Sequence, residues 1–150
     1  MRVQWQECPK GDVVGQWASV YVTMNRRGHI VMSRVTYERM GEPKAFKLLF
    51  DGTNNLIGLK PTAPSMRNAY AVAKCGRYGG RIIRAFRLMQ EYNIVVTETI
   101  RFSDPEVDRD GILILDLRTA KLSTRALGQR GKTPPVSNAK VLEKENLPVN

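Results

Sequence analysis

Apolar and polar residues begin to alternate at Val20, where Val20, Val22 and Met24 take one side of an extended segment and Tyr21, Thr23 and Asn25 the other. A period of two predicts a half-buried strand. Asn25-Arg26-Arg27-Gly28 reads as a turn and Ile30-Val31-Met32 as a second strand. Ser33 is placed to cap a helix over residues 34–40, which Gly41 ends in the left-handed conformation and Pro43 prevents from continuing. Residues 45–50 and 56–60 form a hairpin around the turn-rich run 51–55, and the proline-punctuated stretch 61–68 reads as a joint between two halves. Beyond it, residues 70–73 restart a strand, residues 76–80 make a flexible turn, and Ile82-Ile83 lead into a helical segment ending near Tyr92. Ile82, Phe86, Met89 and Tyr92 recur there at near-helical spacing, with Arg84, Arg87 and Glu91 mostly opposite. Residues 97–102 and 112–117 read as two strands joined by the loop 103–111, the second apolar on both faces and so buried.

The order strand, turn, strand, helix, hairpin thus occurs twice, at an offset of 52: Gly28 matches Gly80, Ile30 matches Ile82, Gly41 matches Asn93 and Phe50 matches Phe102. Half a unit of this kind leaves an apolar face uncovered, so two copies are expected to close on one core. The organisation read from this is an N-terminal arm (1–19), one domain of two half-repeats (20–62 and 70–118), and a basic, flexible C-terminal tail (119–150). Trp5 and Trp17 in the arm are expected to dock on the protein's own core.

Charge changes the picture more than composition does. The net charge of +10 is segregated: residues 67–90 carry Arg67, Lys74, Arg77, Arg81, Arg84 and Arg87 with no acid, whereas residues 91–120 carry seven acids against three arginines. A cationic surface for a polyanion fits that distribution. No stretch approaches the roughly 18 apolar residues of a membrane span, and the first twenty residues lack a signal-peptide run, so a cytoplasmic location and no membrane partner are expected. Cys8 and Cys75 are expected to be reduced thiols, and with His29 as the one histidine no cysteine–histidine zinc quartet is available.

Gly28-His29-Ile30-Val31-Met32-Ser33, running through to Met40-Gly41, resembles in order and spacing the core pattern of the AbrB and MraZ swapped-hairpin DNA-binding families: Gly-Arg, three apolar residues, Pro, a short helix with an arginine, then Leu-Gly. Two such units in one chain are similar to MraZ in particular. The sequence departs from the family at His29, Ser33, Tyr37, Ala85 and Asn93. The resemblance implies a mainly β fold with short helices (α+β), a swapped-hairpin barrel with a pseudo-twofold internal repeat. It also implies a transcriptional-regulator-like DNA-binding role and self-association through apolar strands.

The chemistry available for nucleic acid is a set of cations aimed at phosphates with a ring for stacking. Lys74, Arg77, Arg81, Arg84 and Arg87 with Tyr78 supply it in the second half, and Arg26, Arg27 and Arg34 in the first. If the halves pack with pseudo-twofold symmetry, both basic turns approach one face. The alternatives are RNA or a ribosome as ligand, or a scaffold module of the same fold whose basic face docks an acidic protein. Glu106-Val107-Asp108-Arg109-Asp110-Gly111 imitates the opening of a calcium loop, but its twelfth position is Leu117, so an acidic hairpin loop is expected and no metal. His29 has no evident nucleophile beside it, and neither a phosphate-binding loop nor a dinucleotide fingerprint is present, so neither an enzyme nor a cofactor is expected.

Overall fold

The computed structural model describes residues 2–7, 19–123 and, for their backbone alone, 136–138. The expectations for Trp17, for Cys8 and for most of the C-terminal tail lie outside the described residues.

The first half opens on a hairpin of β1 (Val22–Met24) and β2 (His29–Met32), with Val22 opposite Met32 and Met24 opposite Ile30. Asn25 builds its turn: the side-chain oxygen Oδ1 accepts from the backbone N–H groups of Arg27 (2.9 Å) and His29 (3.0 Å), and Gly28 follows with φ +81°. All three β1 residues are buried, so this strand is covered on both faces rather than one. Helix α1 (Arg34–Arg39) starts where the sequence places it. The Ser33 hydroxyl accepts from the Thr36 N–H at 3.2 Å and donates to the Ser19 carbonyl at 2.8 Å, while Thr36 Oγ1 accepts from the Tyr21 N–H at 3.0 Å. Ser33 and Thr36 are buried, so this small polar cluster both caps the helix and ties down the entry to β1. Ser33→Ala is expected to cost about 2–3 kcal/mol, a lost cap plus buried groups left unpaired, measurable as a lower urea midpoint at unchanged m.

Strands β3 (Ala45–Asp51) and β4 (Leu56–Thr62) form the expected hairpin. Asp51 caps it by accepting from Thr53 N (3.0 Å), Asn54 N (3.1 Å) and Asn54 Nδ2 (2.8 Å). Hydrogen bonding from the Asn54 side chain, followed by that from the Asn54 backbone, holds the Asp51 carboxyl below its ordinary value. A depressed folded-state value contributes stability above the ordinary carboxylate range and loses it as pH falls through the lowered value. Acid titration followed by NMR is therefore expected to show Asp51 protonating at lower pH than the unstructured acids, with the turn amides of Thr53 and Asn54 shifting in step.

The second half comprises β5 (Ala69–Ala71), β6 (Ala73–Cys75), β7 (Gly80–Arg84), α2 (Phe86–Tyr92), β8 (Ile94–Val96), β9 (Ile100–Arg101), β10 (Glu106–Val107), β11 (Leu113–Asp116), β12 (Lys121–Leu122) and β13 (Val136–Asn138). The expected strand at residues 70–73 is instead two strands in different sheets, parted at Val72, whose N–H donates to the Lys44 carbonyl at 3.0 Å. The strands expected at 97–102 and 112–117 do not pair with each other. Strand β9 lies between β1 and β12, and β11 pairs instead with β10 and β4. The nine-residue loop is too long to impose hairpin register, and β10 forms inside it.

All sheet pairings among the described residues are antiparallel, in a six-stranded sheet ordered β12-β9-β1-β2-β7-β6, a five-stranded sheet ordered β10-β11-β4-β3-β5, and the pair β13-β8. Among the described residues the fold is mainly β with two short helices. One apolar cluster joins Met24, Ile30, Met32 and Ile83 of the first sheet to Phe46, Ile57, Leu59 and Leu115 of the second, with Tyr37 and Leu88 from the helices. Both large sheets draw strands from both halves.

The centre of the first sheet is the β2–β7 ladder, which pairs His29 with Arg84, Ile30 with Ile83, Val31 with Ile82 and Met32 with Arg81. His29 and Arg81 are 52 apart, as are Met32 and Arg84, so exchanging the copies maps this ladder onto itself. The packing beside it is reciprocal too. Gly28 of the first turn presses on α2, where an added Cβ would sit 2.9 Å from the Phe86 backbone, and a Cβ added at Gly79 of the second turn would sit 3.0 Å from the Arg34 side chain of α1.

Two sequence expectations about apolar side chains fail. Phe86 and Tyr92 are 55% and 45% exposed, and α2 buries Leu88 and Met89 instead. The helix starts at Phe86, leaving Ile82 in β7, and that shift turns the inward stripe onto other residues. Trp5 is 90% exposed, so it does not dock on the core. Leu122 and Ser123, at the start of the basic tail, are partly and fully buried beside β9.

Candidate nucleic-acid interface

Antiparallel pairing of β2 with β7 decides where the basic residues go. The β1–β2 turn precedes β2 and the β6–β7 turn precedes β7, so the two turns lie at opposite ends of the shared ladder. At about 3.4 Å per residue, the three steps of this four-pair ladder set its ends roughly 10 Å apart. The antiparallel register therefore separates the two turns along the ladder instead of setting them side by side.

The first end gathers Arg26 and Arg27 in its turn, Arg84 at the close of β7 opposite His29, and Arg87 in the first turn of α2. All four arginines are exposed, and Phe86 stands between Arg84 and Arg87 in sequence with its ring turned to solvent. The second end gathers Lys74 of β6, Arg77 and Tyr78 in the turn, Arg81 at the start of β7, and Arg34 at the start of α1. Arg77 lies 6.0 Å from the centroid of the Tyr78 ring, which is 36% exposed.

Arg81 differs from the rest. Its Nη1 donates to the carbonyls of Gly79 (2.6 Å) and Gly80 (3.1 Å), and its guanidinium lies 4.6 Å from the Tyr37 ring centroid. The Tyr37 hydroxyl in turn donates to the Pro43 carbonyl at 2.7 Å. Arg81 thus braces the second turn, doing there what Asn25 does in the first. Among the described residues no ion pair ties Arg26, Arg27, Lys74, Arg77, Arg84 or Arg87 to the acids of residues 91–116. Of those acids, Asp108 serves its own loop, with Oδ1 accepting from Asp110 N and Ile112 N at 2.9 Å each. No three His, Cys, Asp or Glu side chains among the described residues are grouped so as to hold a metal ion.

Sequence reasoning missed Phe86, which it assigned to the core, and Arg101 of β9. Arg101 is opposite Thr23, which is opposite Val31, which is opposite Ile82, so it shares the outer sheet face with Arg84. It lies 5.0 Å from the ring centroid of buried Tyr21, whose hydroxyl is pushed up by burial, with Arg101 opposing that shift. Alternation within so short a strand gave no signal for it. Among the described residues no helix is long and apolar enough to cross a membrane. No family model, curated protein or solved structure matches this chain.

Proposed function

We propose that this chain is a non-enzymatic nucleic-acid-binding protein, in the manner of a DNA-binding transcriptional regulator, that holds phosphates with the two basic glycine turns at the ends of the β2–β7 ladder. The observation that carries this reading is the pair of cationic ends, whose exposed arginines and lysine are held on braced turns and are free of ion pairs to the acids of residues 91–116. A separation of roughly 10 Å is comparable to the ~12 Å width of a DNA major groove, so the ends can meet phosphates on the two sides of one groove. The reciprocal packing of each turn on the other half's helix supports a swapped-hairpin arrangement of two copied units. Self-association belongs to the same proposal, with β6, the last strand of the six-stranded order, as the place where a second copy adds.

RNA is the second reading, favoured by the exposed rings of Phe86 and Tyr78 beside cations. Labelled duplex DNA, single-stranded DNA and structured RNA titrated at increasing salt separate these readings. Affinity is expected to fall steeply and log-linearly with salt for the true ligand class. Failure of all three ligands at the lowest salt would leave a scaffold docking an acidic protein.

A further inference from the structure

We propose that the cleft between α2 and β8 is a site for an unpaired nucleobase, belonging to a strand whose phosphates lie on the Arg26–Arg27 turn. This rests on the nucleic-acid reading above and adds base contact to it. The cleft has a volume of about 340 Å³ and is lined by Arg26, Phe86, Met89, Gln90, Asn93 and Val95 among others. That lies at the small end of the roughly 300–1,000 Å³ range of ligand pockets.

Phe86 is the reason to assign a base. A phenylalanine has no polar handle, yet this one is 55% exposed, and Val95 beside the same cleft is 49% exposed. The backbone that carries the ring is held in place. Its helix is anchored by buried Leu88 and Met89, the Ala85 N–H donates to the Gly28 carbonyl at 2.7 Å, and the Phe86 backbone abuts Gly28 so closely that no Cβ would fit. An exposed ring on an anchored backbone, in a cleft that Arg26 also lines, is what a base needs for stacking while its backbone phosphate is neutralised.

The rim supplies polarity of the right kind. Among the described residues the side-chain amides of Gln90 and Asn93 have no hydrogen-bond partners, and each presents donors and an acceptor that match the edge of a base. Asn93 is fixed by its left-handed backbone (φ 54°), which ends α2 and starts β8.

The test uses the full chain, fluorescence anisotropy, and labelled twelve-nucleotide strands in three forms: DNA, RNA, and DNA made wholly abasic. With base-bearing strands, affinity is expected to be about tenfold tighter than with the abasic strand at the same salt, with equal salt slopes. Phe86→Leu, which keeps the bulk and removes the ring, is expected to abolish that preference and leave the slope alone. A base preference in DNA or RNA supports the site, and the tighter strand names its source. Equal binding of abasic and base-bearing strands, or a preference that survives Phe86→Leu, overturns the base site while the phosphate reading stands. No binding of any strand at the lowest salt overturns the base site, and failure of the matching twelve-base-pair duplex as well overturns the phosphate reading.

Discussion

Gly28→Ala is expected to be among the most destabilising single substitutions in the chain, costing about 2–5 kcal/mol. Two independent penalties add. A left-handed φ of +81° disfavours any side chain by about 1–2 kcal/mol. An added Cβ would then sit 2.7 Å from Met89 Sδ and 2.9 Å from the Phe86 backbone nitrogen and Cα, and a helix backbone packed on the core does not yield as a flexible side chain would. Gly41→Ala is the control, since its φ is +85° but nothing lies within 4 Å of its Cβ position, so it is expected to lose only the first penalty. Urea denaturation of the two variants isolates the close approach of the first turn to the second half's helix. Equal losses would mean that the reciprocal packing contributes nothing.

The largest effect on binding is expected from Arg26, Arg27 and Arg84 changed together to glutamine. These three arginines are exposed and make no ion pair among the described residues, so the fold is expected to survive. If each meets a phosphate, the slope of log affinity against log salt becomes shallower by about 2–3, and affinity falls by tenfold or more at ~0.1 M salt. Arg81→Gln is the contrasting variant. Its guanidinium is engaged by two turn carbonyls and the Tyr37 ring, so the expected loss is in stability, with little change in slope. A salt series with each variant, beside its thermal melt, separates the two roles.

Much of the local structure was legible because local chemistry decides it. Ser33 as cap, Gly41 as stop, the Asp51–Asn55 turn and the order of elements in the first half all follow from residues within a few positions of one another. Choices made between distant segments were not legible. Nothing near Val72 announces that its N–H will turn to Lys44 and divide β5 from β6, and nothing near Ile100 says that β9 will leave β11 for β1. Helix α2 shows how small an error relocates a site. Counting its apolar stripe from Ile82, although Ile82 pairs with Val31 in β7, sent Phe86 inward and concealed the exposed ring beside the basic turn. The set of cations was legible from charge alone, but their division between two ends depends on the direction of one strand pairing.

One nucleic acid molecule engaging both ends is the claim on which the rest depends, and backbone NMR of the full chain during titration with a single short duplex tests it most directly. Amides of residues 25–28 and of residues 76–79 are predicted to shift together, with one midpoint and at equimolar ligand, while the acidic loop 104–111 stays still. Shifts confined to one turn, or midpoints that differ between the turns, would contradict it.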